Sequence, residues 1–323
     1  MSSPRAVFVV LATCDGEAFL AQQLQSLQRQ TFTDWRLLAH DDLSTDGTPD
    51  LLLRIAGEDE RVVVLPSRHA ERLGPARNFD LLLRSARDEG AEVVLPCDQD
   101  DVWKPTKVEE LVRSFDEVDL GRPALVYSDL EVADRKLAVT HPSLLALLGY
   151  RDAPEGDALR PILVQNFVTG CACAVNRALL DLALPIPAEV VNFDWWLGLC
   201  AVAGGRLRCV PRPLVTYRQH GSNAVGALTY RDVAASPVRL PVRAAAKHRS
   251  LLRGQLSAVA ELSRRLEARR PEASEALAGL EEFQAIVGSG EGRLRRLMRL
   301  RRRGFWPRSW KRRLLLLQAL DVV

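Results

Sequence analysis

The stretch AEVVLPCDQDDVW, residues 91–103, decides the fold that this sequence predicts. In it an apolar, strand-like run leads directly into three carboxylates, Asp98, Asp100 and Asp101. Carboxylates this close repel one another, and burying one without a partner is costly, so we expect a positive group beside them. Two interpretations stay open. Either the turn binds Mg²⁺ or Mn²⁺ together with a diphosphate, or it is an exposed acidic cap on the helix that begins at Pro105.

The same pattern, a strand-like run followed by a helix-like run, occupies the chain before this stretch. The strand-like runs are at residues 6–12, 35–42 and 62–67. The helix-like runs, with apolar residues at helical spacing, are at residues 17–30, 44–56 and 76–90. This alternation predicts an α/β fold, with parallel strands, right-handed crossovers and helices on both faces of the sheet. After residue 105 the pattern is mixed, and the last predicted strand is broken by Pro211 and Pro213.

A second acidic strand end lies at residues 40–48, HDDLSTDGT. Asp42 can accept hydrogen bonds from a ribose or a base, while Ser44 and Asp46 can cap the following helix. In parallel sheets, ligands bind at the carboxyl ends of the strands, where Thr13 also lies. Two acidic strand ends on one rim are hard to explain as helix caps alone, so we expect a ligand site there.

Seven segments resemble glycosyltransferase family 2 in their order and spacing. They are VLATCDGEAFLAQQLQSLQRQT (10–31), HDDLSTDGT (40–48), GPARNF (74–79), PCDQDDVWKPTKVE (96–109), FVTGCACAVNR (167–177), NFDWWLGL (192–199) and YRQHGSN (217–223). The similarity is greatest to bacterial rhamnosyltransferase-like members, which build cell-surface polysaccharide, and it covers about residues 5–226. It implies a Rossmann-like GT-A fold with a mainly parallel central sheet flanked by helices. It also implies inverting transfer of a sugar from a nucleoside diphosphate sugar.

The resemblance assigns roles to residues at matching positions. The nucleotide would be contacted by Thr13, Glu17, Asp42, Arg77 and Asp98. A divalent metal ion, Mg²⁺ or Mn²⁺, would be held by Asp100 and His220. Asp194 would be the catalytic base, because inverting transfer needs a carboxylate that takes the proton of the attacking hydroxyl. The sugar or the acceptor would be contacted by Asp101, Gly170, Trp195, Trp196 and Arg218.

Several of these roles have a structural alternative. Asp194 can cap the helix that follows it, His220 can be structural or exposed, and Arg77 can pair with Asp80. One of the two adjacent tryptophans can belong to the core rather than to a sugar site.

The chain also departs from the family pattern. Cys14 and Asp15 follow Thr13 where the family usually has Tyr-Asn, so an aromatic that can stack on the base is missing. Leu43 stands where glycine is usual. The Q-x-x-R-W element and the membrane helices of processive family members are absent from the sequence, which implies a non-processive enzyme.

Two other functions remain as alternatives. A sugar-nucleotide nucleotidyltransferase also combines an α/β sheet, acidic residues and a metal, but TCDGEAFL lacks a glycine-rich basic phosphate loop. A non-catalytic scaffold with the same fold would bind without turnover. The composition, 47% apolar and 26% charged, excludes disordered and collagen-like chains. Six scattered cysteines, with Cys171 and Cys173 lacking a second pair or a nearby His, predict core thiols rather than disulfides or a zinc site.

The small net charge of +3 hides two opposite parts. Residues 1–238, the predicted catalytic domain, hold 24 basic and 33 acidic residues, and residues 239–323 hold 20 and 8. We expect a nucleotide-sugar half at about 1–105, an acceptor half at about 106–238 and a basic helical extension at 239–323, with the last boundary near Pro237 and Pro241.

The extension contains an amphipathic basic segment. Its apolar strip is Leu294, Leu297, Met298 and Leu300, its flanking arginines are Arg293, Arg295, Arg296, Arg299 and Arg301, and its aromatics are Phe305, Trp306 and Trp310. This pattern favours an anionic membrane surface, ahead of packing on the catalytic domain or on a second subunit in a homodimer. Nucleic acid is not expected, since no nucleic-acid-binding motif is present.

The start of the chain has no secretory pattern, and no apolar run is long enough to cross a bilayer. We therefore expect a cytoplasmic protein, peripheral at the inner face of the plasma membrane. The resemblance favours dTDP-rhamnose as the donor. It implies a polyprenol-linked or cell-surface glycan as the acceptor.

Overall fold

The computed structural model describes residues 5–150, 152–155, 158–220 and 242–308, together with residues 313, 316 and 320. Its strands are β1 (Val7–Thr13), β2 (Trp35–Asp41), β3 (Val62–Leu65), β4 (Val93–Asp98), β5 (Val102–Trp103), β6 (Ala124–Ala133), β7 (Val139–His141), β8 (Cys173–Asn176) and β9 (Arg206–Arg218). Its α-helices are α1 (Glu17–Gln28), α2 (Thr48–Glu58), α3 (Pro75–Asp88), α4 (Lys107–Arg113), α5 (Leu144–Leu147), α6 (Leu159–Val164), α7 (Arg177–Ala183), α8 (Phe193–Gly204), α9 (Val242–Arg269), α10 (Ser274–Val287) and α11 (Arg293–Arg302).

The strands form one sheet in the order β3-β2-β1-β4-β8-β6-β9-β5, with β7 paired to the outer part of β6. The first four strands in this order are parallel, as the alternating pattern predicts. β1, β2 and β4 are rich in Val and Leu because helices cover both of their faces, and their side chains are almost all buried, whereas the edge strand β3 is only partly buried. Thr13 pairs with Asp41 and Ala12 pairs with Asp98, so the carboxyl ends of β1, β2 and β4 meet on one rim.

The rest of the sheet is mixed rather than parallel. Strand β8 is antiparallel to both β4 and β6, β6 is parallel to β9, and β5 is antiparallel to β9. The predicted break at the prolines of β9 is wrong, since the strand continues through both. The pairing with β6 instead shifts register around Asp129 and Pro213. A register shift accommodates proline because it has no N–H to donate to the ladder.

Helices α9 to α11 pack on the catalytic domain, which was the second interpretation of the extension. Val259, Leu262 and Leu266 of α9 are buried in the same apolar cluster as the sheet. The Gln255 side chain donates to the Leu163 carbonyl, and the Arg265 guanidinium donates to carbonyls in the 182–185 segment. The predicted boundary at Pro237 and Pro241 lies outside the described residues.

Two further expectations concern cysteines and membrane spans. All six cysteines are free thiols, and five of them are buried. In the described ranges no helix combines the length and the apolar character that a membrane crossing requires.

Candidate active site

The acidic turn after β4 is held by hydrogen bonds to Arg218, at the end of β9. The backbone N–H of Arg218 donates to Asp101 Oδ1 (3.0 Å), and the Arg218 guanidinium donates to the carbonyls of Asp100 (2.7 Å) and Arg135 (2.8 Å) and to the Gln22 side chain (2.5 Å). Asp101 and Arg218 are 0% and 3% exposed. In the structure these two residues anchor the turn to the end of β9, and their contact with the sugar or the acceptor stays a prediction.

Asp100 faces His220, although the two residues are far apart in sequence. His220 Nε2 and Asp100 Oδ2 are 2.7 Å apart, and both side chains are largely buried. The imidazole stacks on Phe19 of α1, with ring centroids 4.5 Å apart. Phe19 is thus a site residue that the sequence did not reveal, because its apolar position in α1 matches an ordinary core residue.

This pair fits a divalent cation. Two ligands on adjacent octahedral positions of an ion such as Mg²⁺ lie about 3 Å apart, so the observed separation needs to open only slightly. A carboxylate with an imidazole is a donor set that Mn²⁺ accepts well.

A second group of donor atoms lies deeper, formed by Asp98, Asp101 and Cys171, whose ligand atoms are within 4.8 Å of one another. Burial, and next the charge of Asp100, raises the pKa of Asp98 to about 7 and holds the pKa of Asp101 well above its usual range. Burial also holds the pKa of the Cys171 thiol well above its usual value. A protonated thiol is a poor ligand for a hard cation, so the pair of Asp100 and His220 is the better metal candidate.

Lys107, at the start of α4, is a further buried residue near the acidic turn, and the sequence did not reveal it. It is 0% exposed, its ammonium donates to the Cys171 carbonyl (2.5 Å), and it lies over the Trp103 ring. Burial lowers the pKa of Lys107 to about 7. Nothing in the local sequence PTKVEE distinguishes it from a solvated helix lysine, because its burial results from the packing of α4 against the 170–173 segment.

The side chains at the ends of β1 and β2 form hydrogen bonds mostly with other residues of the chain. Thr13 Oγ1 donates to Asp41 Oδ1 (2.9 Å), and both oxygens of Asp42 accept backbone N–H groups, from Leu73 (2.7 Å) and Gly74 (2.8 Å). Thr13 and Asp42 are nearly inaccessible. In the structure these two side chains position the rim and the loop before α3, and their contacts with the nucleotide stay predictions.

Glu17 and Arg77, two further predicted nucleotide contacts, are exposed. Glu17 Oε2 accepts the backbone N–H of Gly47 at the start of α2 (3.0 Å). Arg77 lines a groove of about 550 Å³ between α3 and residues 186–190. The alternative pairing of Arg77 with Asp80 is not observed, because Asp80 accepts the backbone N–H of Ile186 and lies 3.7 Å from Arg84.

The two departures from the family pattern both have backbone consequences. Asp15 and Leu43 have positive φ values, 49° and 57°. The Asp15 carboxylate holds its turn by accepting from Thr45 and from Arg72 (2.7 Å each). Leu43 has a β-carbon in a conformation that favours glycine, which explains why glycine is usual there.

Asp194 lies in the first turn of α8 but does not occupy its cap position, which is Asn192. Its carboxylate accepts from the Asn166 side chain (3.1 Å) and from the backbone N–H groups of Gly170 (3.1 Å) and Trp195 (2.6 Å). Burial raises the pKa of Asp194 to about 6 despite these bonds. The carboxylate is half-buried and held by three donors, so it retains lone pairs for a hydroxyl.

Gly170 and the tryptophans surround this carboxylate. A β-carbon on Gly170 would lie 2.5 Å from the Phe193 ring, so only glycine brings its N–H to Asp194. Trp195 is half-buried, with its indole donating to the Ile162 carbonyl (2.5 Å). Trp196 is 2% exposed and donates to the Ala183 carbonyl (2.9 Å). The predicted sugar contact of Trp196 is therefore corrected to a core position.

The family model described as glycosyl transferase family 2 matches residues 8–180, more than half of the chain. The chain belongs to glycosyltransferase family 2. It is a glycosyltransferase, as its motifs predicted. The matched range includes the acidic turn and Gly170 but ends before Asp194 and His220, so the roles of those two residues depend on the geometry above.

Characterised relatives of this glycosyltransferase are distant. The dTDP-rhamnosyl transferase RfbG of Shigella flexneri is 24% identical over 230 residues, which cover 67% of this chain and 74% of that protein. The UDP-Glc:alpha-D-GlcNAc-diphosphoundecaprenol beta-1,3-glucosyltransferase WfgD of Escherichia coli is 29% identical over 176 residues, covering 54% and 62% of the two chains.

Solved structures confirm the predicted GT-A fold. S. aureus TarS in complex with UDP-GlcNAc aligns with a TM-score of 0.58 at 13% identity, covering 93% of this chain and 82% of that one. The mannosyltransferase PcManGT of Pyrobaculum calidifontis, in complex with GDP-Man and Mn²⁺, aligns with a TM-score of 0.53 at 17% identity, covering 98% and 86%.

Proposed function

We propose that this glycosyltransferase transfers a sugar from a nucleoside diphosphate sugar to a hydroxyl acceptor, with inversion and with a divalent metal ion. The observation that carries the proposal is the approach of Asp100 and His220 to 2.7 Å, across 120 residues of sequence, at the rim where parallel strands end. Solved structures of the same fold contain UDP-GlcNAc, or GDP-Man with Mn²⁺, which supports a nucleotide sugar and a metal here.

Asp100 and His220 would hold Mg²⁺ or Mn²⁺. When bound, the ion offsets the negative charge that develops on the departing diphosphate. Phe19 keeps the imidazole in the plane that faces Asp100, and the Arg218 guanidinium fixes the backbone of the turn. These contacts hold both ligands in place before the donor arrives, which lowers the cost of organising the site.

Asp194 would be the base. Transfer forms a bond between the acceptor oxygen and the anomeric carbon, breaks the bond from that carbon to the diphosphate oxygen, and moves the hydroxyl proton to the Asp194 carboxylate. The raised pKa makes this carboxylate a stronger base than an exposed aspartate, while leaving it mostly ionised at pH 7. The N–H of Gly170 and the Asn166 amide orient it.

For the donor we propose a deoxysugar nucleotide, dTDP-rhamnose first, because RfbG of Shigella flexneri is named as a dTDP-rhamnosyl transferase. For the acceptor we propose a polyprenol-linked or cell-surface glycan, because WfgD of Escherichia coli is named for a diphosphoundecaprenol acceptor. Glu17 and Arg77, exposed near the start of α1 and α3, are proposed contacts for the nucleotide, together with Asp98 at the end of β4.

A thermal-shift panel tests the proposal. The full chain is melted with UDP, GDP, dTDP and CMP sugars, each with and without Mn²⁺, since a ligand of the native state raises the melting temperature. We expect one donor class to stabilise the protein more with Mn²⁺ than without it. Transfer to an acceptor, followed by mass spectrometry, distinguishes this function from a nucleotidyltransferase, which would release pyrophosphate, and from a scaffold, which would give no product.

We also propose that α11 contacts an anionic membrane. Residues 293–313 contain eleven basic residues and no acidic one. The predicted apolar strip is divided in the structure: Leu300 points inward, while Leu294 and Met298 are 62% and 53% exposed. Arg295 and Arg302 are exposed beside them and have no ion pair within the described residues. Each such arginine contributes about 1 kcal/mol near an anionic surface.

Not all of the predicted flanking arginines are available to lipid. Arg296 is buried and donates to the carbonyls of Val287 and Leu320. Arg299 pairs with Glu291, and Arg303 with Glu282. The membrane would therefore meet a narrow face of α11. In this proposal the enzyme lies peripherally at the inner side of the plasma membrane.

Sedimentation with phosphatidylcholine vesicles, with and without phosphatidylglycerol, tests this surface. Leu294→Ser together with Met298→Ser should reduce binding to the anionic vesicles at least about fivefold. Leu53→Ser is the matched control, because Leu53 is also 62% exposed but lies on α2. Equal losses in both variants, or tighter binding to duplex DNA than to the vesicles, would count against a membrane surface.

A further inference from the structure

Gln99 lies between Asp98 and Asp100 in the acidic turn, and its side chain reaches the turn that follows β1. Its amide forms a pair of hydrogen bonds with the backbone of Cys14: Cys14 N donates to Gln99 Oε1 (2.8 Å), and Gln99 Nε2 donates to the Cys14 carbonyl (2.9 Å). Both polar ends of one side chain are therefore used to hold the turn that follows β1. This contact joins the turn after β1 directly to the turn after β4.

Gly16 makes room for this contact. A β-carbon on Gly16 would overlap the carboxamide of Gln99, well inside van der Waals distance. The backbone of Gly16 has φ −105° and ψ 5°, a conformation that alanine adopts without strain. The three heavy atoms nearest to that β-carbon all belong to Gln99, so the requirement for glycine at this position comes from the Gln99 side chain rather than from the backbone.

The same elements close a ring of contacts around Asp100. Gln99 holds the turn that begins α1, α1 carries Phe19, Phe19 stacks on His220, and His220 meets Asp100, which follows Gln99 in the chain. A shift of the turn after β1 would move α1 and with it the His220 imidazole. The spacing between the two proposed metal ligands therefore depends on the Gln99 side chain, whose two hydrogen bonds go to the backbone of Cys14.

We infer that Gln99 is a positioning residue that couples the turn after β1 to the metal-binding turn, with Gly16 as its required partner. The inference rests on the proposed function, since it concerns the site for the metal and the nucleotide. Loss of the coupling should weaken binding of both, and should change the chemical step much less, because Asp194 lies on α8 and is held by other bonds.

A double-mutant cycle tests the inference, using Gln99→Ala, Gly16→Ala and the two together. Each single change should raise the donor KM and the half-saturating Mn²⁺ concentration about tenfold, with kcat altered less than about threefold, because two backbone hydrogen bonds are lost in each. The double variant should match Gln99→Ala, since the added methyl group then meets no carboxamide. Gly57→Ala is the control, because a β-carbon there has nothing within 4 Å.

Nucleotide binding measured by calorimetry without metal, and thermal unfolding, provide readouts besides activity. Lower melting temperatures with unchanged KM and Mn²⁺ dependence would overturn the inference, because Gln99 would then only stabilise the fold. Additive effects of the two changes would also overturn it, since Gly16 would act by another route. If the unaltered chain binds no nucleotide under any condition, the proposed function itself fails, which is a distinguishable result.

Discussion

The turns after β2 and β4 have similar sequences, HDDLSTDGT and PCDQDDVW, but the structure treats their carboxylates differently. In the first turn Asp41 accepts from Thr13 and Ser44, and Asp42 accepts from two backbone N–H groups of the loop before α3. In the second turn Asp98 is half-buried and Asp101 is fully buried, and burial together with the charge of Asp100 outweighs the hydrogen bonds they accept, so that their pKa values rise.

The difference shows that acidic residues at strand ends can have two roles, one structural and one in ligand binding. A carboxylate that meets backbone N–H groups stabilises a turn, because those groups would otherwise be buried without a partner. A cluster of carboxylates without enough donors stores a charge imbalance that a cation can relieve. Counting acidic residues does not separate the two cases, whereas counting the donors around each oxygen does.

The largest effect on activity is expected from a change at Asp194. Its pKa is raised, like the pKa values of Asp98 and Asp101 in the second turn. Asp194→Asn should lower kcat about 1,000-fold, because the amide cannot take the proton of the acceptor hydroxyl. Nucleotide binding, measured by calorimetry, should be unchanged. Turnover above about a tenth of the original value would mean that another group is the base.

Asp100→Ala tests the second turn itself. The affinity for the nucleotide in the presence of Mn²⁺ should fall at least about tenfold, by calorimetry, because one of two proposed metal ligands is removed. Affinity without metal should change little. Equal affinity with Mn²⁺ in the variant and in the unaltered chain would exclude Asp100 as a ligand.

Asp42→Ala tests the first turn and should act on stability instead. Two backbone N–H groups of a partly exposed loop lose a charged acceptor that is itself buried, so the free energy of unfolding should fall by about 2 kcal/mol, seen in urea denaturation. The Mn²⁺ dependence of nucleotide binding should be retained. A loss of metal dependence in this variant would erase the distinction between the two turns.

The pH profile sharpens the role of Asp194. Because its pKa is raised to about 6 and the base must be ionised, kcat/KM should fall about tenfold per pH unit below pH 6. An aspartate with an ordinary pKa would keep its activity to about pH 4. An acid limb at that lower pH would show that the base is a different, solvated carboxylate.

The smallest effect is expected at Leu43, in the first turn. Its φ of 57° favours glycine, so Leu43→Gly should raise the free energy of unfolding by about 0.5 kcal/mol, after the loss of some side-chain packing. Leu53→Gly, in the interior of α2, should lower it by about 1 kcal/mol. If both variants lower the free energy of unfolding, backbone strain at Leu43 is unimportant.

Much of the nucleotide half could be predicted from the sequence. The alternation of apolar runs with helical spacing located β1 to β4 and α1 to α3, since local periodicity and turn residues specify such elements. The path of β9 through Pro211 and Pro213 could not be predicted, because both prolines lie where the pairing with β6 shifts register and where the short neighbour β5 does not reach, and neither feature is visible in the local sequence. The separation of Leu294 from Leu300 on α11 also depended on what packs against the helix.

By itself the sequence determined the family, the rim of acidic strand ends and the candidates for metal and base, because these depend on residue types and on their order. Only the tertiary structure decided which carboxylates are already satisfied and which are not. Asp42 and Asp101 are both buried aspartates after a strand, but the donors that reach them come from Gly74 and Arg218, on distant parts of the chain. Hydrogen-bond partners contributed by packing cannot be deduced from local pattern, and they separate a structural carboxylate from a reactive one.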